Sequence, residues 1–299
     1  MIRLLLTGGT GQVGEALGRL GPFAGAAVEH PSRAELDLAR PETVAAAVRR
    51  CAAEIVVNCA AYTAVDRAET ERASAEAVNA SGPGYLADAC AARGVPLIHI
   101  STDYVFDGSK AGAYVEGDPV APLGVYGRSK EAGERAVRSA WDRHVILRTS
   151  WVYSAHGQNF VKTMLRLAGE RSEWGVVDDQ VGAPTAADDI AGAVLAIAPQ
   201  LLEPATARWG TYHYTAEGQV SWHGFARAIV ERAAMVTGKR PTVKAIPTSA
   251  YPTPVRRPQN SVLDCSKVIA AFAPPRRPWQ AGLKDVLDLL LALPKRGAA

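Results

Sequence analysis

Gly8, Gly11 and Gly14 form G-x-x-G-x-x-G within TGGTGQVG, between the apolar run Ile2 to Thr7 and a helix-patterned stretch from Gln12 to Leu20. A strand that turns at glycines straight into a helix is the first step of a β-α unit, and it constrains everything that follows. The glycines let backbone approach a pyrophosphate closely, while free N–H groups and the helix dipole favour its negative charge. Any tight strand-to-helix turn can use glycines, so the pattern becomes informative only where further β-α units surround it.

Those units are present. Runs of strand length at Ile2 to Thr7, Ala26 to His30, Glu54 to Cys59, Pro96 to Ile100 and His144 to Arg148 alternate with helical patterns at Gln12 to Leu20, Pro41 to Ala52, Ala68 to Ala92 and Tyr126 to Ala140. This rhythm predicts a parallel sheet covered on both faces, and so marks the glycine turn as dinucleotide-binding. Pro41 suits a first helical turn, and Gly94 with Pro96 stops the third helix. Beyond about residue 150 the rhythm loosens. It predicts a helix near Phe160 to Gly169, short strands near Gly175 to Asp178 and Gly210 to Tyr214, and a long helix from Trp222 to Val236. The stretch PTSAYPTPVRRPQN, residues 247 to 260, holds four prolines and reads as a linker or binding loop.

With 299 residues, 48% of them hydrophobic, the chain can bury a core of one large domain or two smaller ones. A net charge of +3 without any block of five or six like charges gives nucleic-acid binding no compositional support. The opening MIRLLL is too short for a signal segment or a spanning helix, which predicts a soluble cytoplasmic protein without membrane partners. Cys51, Cys59, Cys90 and Cys265 lack C-x-x-C spacing and read as reduced structural thiols. His99, His144 and His156 have no metal-ligand spacing, and Glu69, Glu71 and Glu76 read as the solvated side of a long helix.

Chemistry is carried by two further stretches. In VYGRSK, Tyr126 and Lys130 stand four apart and share one helix face, where a neighbouring ammonium and a cationic nicotinamide favour the phenolate and lower its pKa. In HISTDYVF, Ser101, Thr102 and Asp103 follow an apolar run, at the carboxyl end of a strand where ligands of open parallel sheets sit. A hydroxyl there can bind a carbonyl that Tyr126 protonates as hydride arrives. Y-x-x-x-K alone is common. Its combination with the glycine turn and Thr102 is what points to a reductase.

At the end of the second strand stand His30, Pro31, Ser32 and Arg33, with no carboxylate for a ribose 2′-hydroxyl at that turn. Arg33 can pair with a 2′-phosphate, which favours NADPH over NADH, or it is a solvated surface charge.

The spacing of the glycines, with NCAAYTAVDRAE and Tyr126/Lys130, resembles the extended short-chain dehydrogenase/reductase family. STDYVFDG, PLGVYGRSKEAGE, RTSWVY, NFVKTMLRLA, VVDDQVGAPT and YPTPVRRPQNS extend the resemblance end to end, to its dTDP-4-dehydrorhamnose reductase branch. The resemblance implies a Rossmann-type doubly wound parallel α/β sheet, with a dinucleotide-binding domain over 1–150. It also implies a smaller, mainly substrate-binding region over 151–299, some segments of which return to the sheet.

The activity it implies is NAD(P)H-dependent reduction of the C4 ketone of dTDP-4-dehydro-6-deoxy-L-mannose to dTDP-L-rhamnose. Alternatives are a related 4-ketoreductase of antibiotic sugar assembly, such as a dTDP-dihydrostreptose synthase, or a non-catalytic dinucleotide-binding regulatory subunit.

Residue by residue, the resemblance makes Tyr126 the proton donor, Lys130 its electrostatic partner and holder of the nicotinamide ribose, and Thr102 the tuning hydroxyl, with Ser101 competing. Gly8, Gly11, Gln12, Val13 and Gly14 would contact the cofactor phosphates. Arg33, Asp37, Leu38, Ala60, Ala61, Tyr62 and Thr63 would line the rest of the cofactor. Thr102, Asp103 and Trp151 would meet the sugar, and Arg257 and Asn260 the nucleotide diphosphate. Trp151 reads otherwise as a core aromatic, and Arg257 as a surface charge.

Some relatives bind Mg²⁺ through acidic residues at a subunit contact. Asp188 and Asp189 are candidates for that role, or cap and dipole partners of a helix. The C-terminal DVLDLLLAL offers no second matching carboxylate, so no metal site is assigned. The state expected is monomer or homodimer.

Overall fold

Alternation of side chains along the strands sets the architecture. In β1 (Ile2–Thr7), Leu4 and Leu6 enter one apolar layer and Leu5 the other; in β3 (Ile55–Asn58), Ile55 and Val57 oppose Val56 in the same way. Apolar side chains on both faces demand a cover on both faces. The computed structural model describes residues 1–205 and 207–291, so 292–299 of the C-terminal region lie outside the described residues.

The first half runs β1, α1 (Gln12–Leu20), β2 (Ala26–Glu29), α2 (Pro41–Arg50), β3, α3 (Arg72–Glu76), α4 (Gly82–Arg93), β4 (Leu97–Thr102), α5 (Val125–Ala140) and β5 (His144–Thr149). The second half adds β6 (Val152–Tyr153), α6 (Phe160–Glu170), β7 (Glu173–Val177), β8 (Val181–Gly182), β9 (Thr185–Ala186), α7 (Ala187–Ile197) and β10 (Gly210–His213). It ends with β11 (Val220–Ser221), α8 (Trp222–Thr237), β12 (Thr242–Ile246), α9 (Ser266–Phe272) and α10 (Trp279–Leu291). Six strands form one parallel sheet in the order β10-β5-β4-β3-β1-β2. The order reverses between β1 and β3, which makes the fold a Rossmann-type doubly wound sheet with its ligand crevice beyond the carboxyl ends of those strands.

Residues of α1 and α7 pack one face and residues of α2, α4 and α5 the other. A separate apolar cluster joins Tyr153, Val161, Trp174, Phe225, Trp279 and Leu283, so α6, α8 and α10 close around their own small core. Among the described residues no helix is long and apolar enough to cross a membrane. All four cysteines are free thiols.

Two elements depart from the sequence reading in ways that matter for the site. The strand expected to end at Ile100 continues as β4 through Thr102, because Ser101 and Thr102 pair in register with Arg148 and Thr149 of β5. Both hydroxyls are therefore held by sheet geometry and buried. The single helix expected over 68–92 is broken into a 3₁₀ turn (Arg67–Glu69), α3, a π-helical segment (Ala77–Ser81) and α4. Pro83 lies within the first turn of α4, directly after the π-helical segment. The π segment places Asn79 inward.

Candidate active site

The first turn has the geometry of an anion cradle. Gly8 has φ +69°, and a Cβ on it would lie 2.7 Å from the Ala60 backbone, so the turn after β1 rests directly on the segment after β3. A Cβ on Gly14 would collide with the Gly8 carbonyl. Gly11 caps α1 without a side-chain hydrogen bond. Val13 and Leu38 face the core, so each can offer a cofactor only its backbone. The side-chain amide oxygen of Gln12 accepts from the Ser154 hydroxyl (3.1 Å) and the Asn159 amide (3.0 Å), tying the cradle to the second half of the chain.

Beyond β2, the Glu35 carboxylate accepts from the Ser32 hydroxyl (2.7 Å) and N–H (2.9 Å), closing the turn that carries Arg33. The Arg33 side chain is 80% exposed and only 3.4 Å from Asp37, so its guanidinium stays open to a ligand. Asp37 in turn accepts from the Ala39 N–H (3.0 Å). Ala60 N–H donates to Asn58 (3.2 Å) and Thr7 (3.3 Å). The side chain of Asn79 grips both backbone groups of Tyr62, at 2.8 and 2.9 Å. Ala61 lies between them, and Thr63 is exposed.

The helix α5 brings Tyr126 and Lys130 to the end of β4. Lys130 is buried, and its ammonium donates to the Ile100 carbonyl at 2.8 Å. Burial pulls its pKa down to about 8, against the opposing pull of the Glu134 carboxylate. Beside it, burial pushes the Cys59 thiol up to about 12, so this sulfur stays protonated. The Tyr126 phenol is hydrogen-bonded by Thr102, yet burial holds its pKa above the ordinary tyrosine range, with Asp103 and Tyr104 adding to the rise. The lowering expected from Lys130 together with a cationic nicotinamide belongs to the loaded site; in the chain by itself desolvation wins. A protonated phenol is the form that an acid in ketone reduction requires.

Three ties fix this geometry. The Thr102 hydroxyl donates to Asp103 at 2.9 Å and accepts from the Tyr104 N–H at 3.2 Å. Ser101 donates at 2.6 Å to Glu134, whose carboxylate also takes Arg148 at 2.9 and 2.7 Å, so Ser101 is engaged away from Tyr126. Glu69 accepts the Val125 N–H at 2.6 Å and so caps the helix bearing Tyr126; Glu71 accepts the Tyr62 hydroxyl at 2.6 Å. Glu69 is exposed and Glu71 partly so, as the solvated-face reading has them, and each carboxylate also takes a hydrogen bond that braces the site.

On the open side, Trp151 has φ +48° and stacks on Trp222 with ring centroids 3.5 Å apart and planes within 7°. Its indole N–H donates to Ser261 at 3.2 Å. Arg257 reaches Asp66 at 2.7 Å and the Tyr104 hydroxyl at 3.1 Å, and the Tyr104 ring meets Tyr126 edge-on at 5.7 Å. Asn260 gives both amide hydrogens to the carbonyls of Lys110 (2.7 Å) and Gly112 (2.8 Å) and accepts from Val262 N–H (3.0 Å). It braces a cleft of about 320 Å³ that also involves Gly108, Gln219 and Gln259. Its side chain is spent on backbone.

Thr102, Asp103, Tyr126 and Lys130 thus converge at one strand end, with Trp151 and Arg257 joined to them through Ser261 and Tyr104. Asp188 and Asp189 lie elsewhere, paired to Arg19 (2.5 Å) and Arg277 (2.6 Å) in the first turn of α7. Among the described residues no group of three or more His, Cys, Asp or Glu side chains is placed to hold a metal. Sequence reading passed over Asn79, Glu134, Trp222 and Ser261. Only Glu134 left a signal, one helical turn after Lys130.

Comparison with known proteins adds an independent line. Residues 2–292 match the family model described as RmlD substrate binding domain. A dTDP-4-dehydrorhamnose reductase of Sinorhizobium fredii is 46% identical over 97% of this chain and 98% of its own length. Among solved structures, a dTDP-4-dehydrorhamnose reductase of Clostridium acetobutylicum is 35% identical with a TM-score of 0.89, covering 97% of this chain and 99% of that one. The Bacillus anthracis dTDP-4-dehydrorhamnose reductase, crystallised in complex with NADP, is 35% identical with a TM-score of 0.87, covering 96% and 99%.

Proposed function

The chain belongs to the dTDP-4-dehydrorhamnose reductase family, and from that premise we propose that it reduces the C4 ketone of dTDP-4-dehydro-6-deoxy-L-mannose to dTDP-L-rhamnose. The observation that carries the proposal is the convergence of Thr102, Tyr126 and Lys130 at the end of β4, with Thr102 and Lys130 buried and Tyr126 half-buried. NADPH is the cofactor we assign. The residues fit it: the glycine cradle has no room for a Cβ, and Arg33 is open at the end of β2 while Glu35 is engaged by Ser32. When bound, the nicotinamide supplies the hydride at its C4.

The chain's own groups do the rest. Thr102 orients the ketone oxygen, and Tyr126 passes its phenolic proton to that oxygen as charge develops there. Lys130, fixed by the Ile100 carbonyl, holds a positive charge one helical turn below the phenol and stabilises the phenolate left behind. Gly8 to Gly14 take the pyrophosphate, and Arg33 the 2′-phosphate. Asp37, Leu38 and Ala60 to Thr63 flank the remainder. Trp151, backed by Trp222, presents an aromatic face to the deoxyhexose, Asp103 faces the sugar, and Arg257 offers its guanidinium toward the diphosphate. Asn260 serves by bracing the loop.

We divide the chain into a dinucleotide-binding part over 1–150 and a mainly substrate-binding part over 151–299, from which β10 returns to the sheet. A cytoplasmic location suits its four free thiols. Purified chain mixed with the ketosugar and NADPH should oxidise the cofactor and yield dTDP-L-rhamnose by NMR. A product of different C4 stereochemistry would make it another nucleotide-sugar 4-ketoreductase, and no oxidation by folded protein would refute the reading.

A further inference from the structure

Asp103 sits in the site with more chemistry than a sugar contact requires. Its side chain is 2% exposed, and Oδ2 has no hydrogen-bond partner. Oδ1 takes the Thr102 hydroxyl at 2.9 Å, and that same hydroxyl reaches the Tyr126 phenol. A carboxyl, a hydroxyl and a phenol therefore stand in one line that ends at the reacting oxygen. A buried carboxylate with an orphaned oxygen is costlier than the neutral carboxylic acid in the same place.

We propose that Asp103 is the proton reservoir for Tyr126, recharging the phenolate through the Thr102 hydroxyl. The proposal rests on the reductase reading above and extends it. In the step, the Thr102 hydroxyl, which donates to Asp103 Oδ1 at rest, turns toward the Tyr126 oxygen, and the O–H bond of an Asp103 protonated at Oδ1 breaks as its proton moves to Thr102 Oγ. The Thr102 proton moves to the Tyr126 oxygen that has just protonated the substrate. The net result is one proton from Asp103 to the new alcohol and a carboxylate that is reprotonated from solvent once product leaves. Nothing is oxidised or reduced in this relay.

The groups around Asp103 agree with this role. Thr102 faces it from β4, Tyr104 from its own 3₁₀ turn, Tyr126 from α5 and Ser261 from the proline-rich loop, while Arg257 addresses Tyr104 and Asp66. Burial outweighs the Thr102 hydrogen bond and pushes the carboxyl up to about 7, so it can hold a proton near neutrality and give it up.

The test uses Asp103→Asn, which keeps shape and removes the transferable proton. In the cofactor-free chain, infrared titration should show a protonated carboxylic-acid band near neutral pH that Asp103→Asn lacks. In turnover of the ketosugar, kcat of the native chain should fall as pH rises through that titration. Asp103→Asn should lose this limb and about 10²-fold in kcat with KM changed far less. Thr102→Val should cost about as much, and the double variant little more than either, since a relay broken twice is still one broken relay. A missing band, or an Asn variant that raises KM while keeping kcat and its pH profile, overturns the relay. Absence of turnover by the native chain overturns the reductase reading instead.

Discussion

The ion pair that locks α5 onto the sheet gives the most demanding prediction. Glu134 is fully buried and Arg148 is 3% exposed. The guanidinium grips the carboxylate in bidentate fashion at 2.9 and 2.7 Å, with Ser101 adding a bond at 2.6 Å and Arg138 one at 3.1 Å. Burial alone would raise this carboxyl, but the hydrogen bond and charge of Arg148, with Ser101 and Arg138, hold it below the usual carboxylate range. Glu134→Gln leaves a buried guanidinium short of its counter-charge, which costs about 3–5 kcal/mol when one partner of a buried pair is removed. Replacing both, as in Glu134→Leu with Arg148→Met, removes the stranded charge and should recover at least half of that loss, the stranded Ser101 donor retaining about 1–3 kcal/mol.

Urea unfolding followed by tryptophan fluorescence and circular dichroism measures both variants and the coupling between them. The pH dependence has a definite sign. A carboxyl whose folded pKa is depressed contributes stability that is complete above its unfolded pKa and is lost as pH falls through the folded one. The native chain should therefore lose stability below about pH 4, and the double variant should lose less. A single variant within about 1 kcal/mol of the native chain, or a double variant as unstable as the single, would refute the reasoning.

Two other outcomes follow from the same geometry. Arg33→Ala removes an open charge-assisted donor worth about 1.5–3 kcal/mol, so NADPH should bind about 10- to 100-fold more weakly while NADH binding, measured by fluorescence titration, barely changes. Glu69→Ala uncaps α5 and should cost about 1 kcal/mol in urea unfolding, with Glu69→Gln restoring most of it because an amide oxygen still accepts the Val125 N–H.

Which features were readable from the chain alone follows from what each depends on. The β-α rhythm and the position of the glycine turn rest on local periodicity, which is why β1, α1 and α5 lie within a residue of where the pattern puts them. Ser101 and Thr102 look like a turn in isolation, and only pairing with β5 makes them strand. Glu69 and Glu71 look like two residues of one continuous helix, and only the break at Glu71 between the 3₁₀ turn and α3 frees them to meet Val125 and Tyr62. Elements such as α7, α9, α10 and β12 depend on partners far along the chain, and a coarse periodic reading left them out. In the site, Tyr126 and Lys130 announce themselves by spacing. Trp222 and Ser261 do not, because their roles arise from Trp151, 71 and 110 positions away.

The central claim is that Tyr126 delivers the proton in reduction of a nucleotide-sugar ketone, and one variant tests it most directly. Tyr126→Phe keeps the ring that packs against Tyr104 and removes only the hydroxyl. With dTDP-4-dehydro-6-deoxy-L-mannose and NADPH, its kcat should fall by at least about 10²-fold, the lower end for a lost general acid, while NADPH affinity stays near that of the native chain. Turnover at the native rate by Tyr126→Phe would contradict the account.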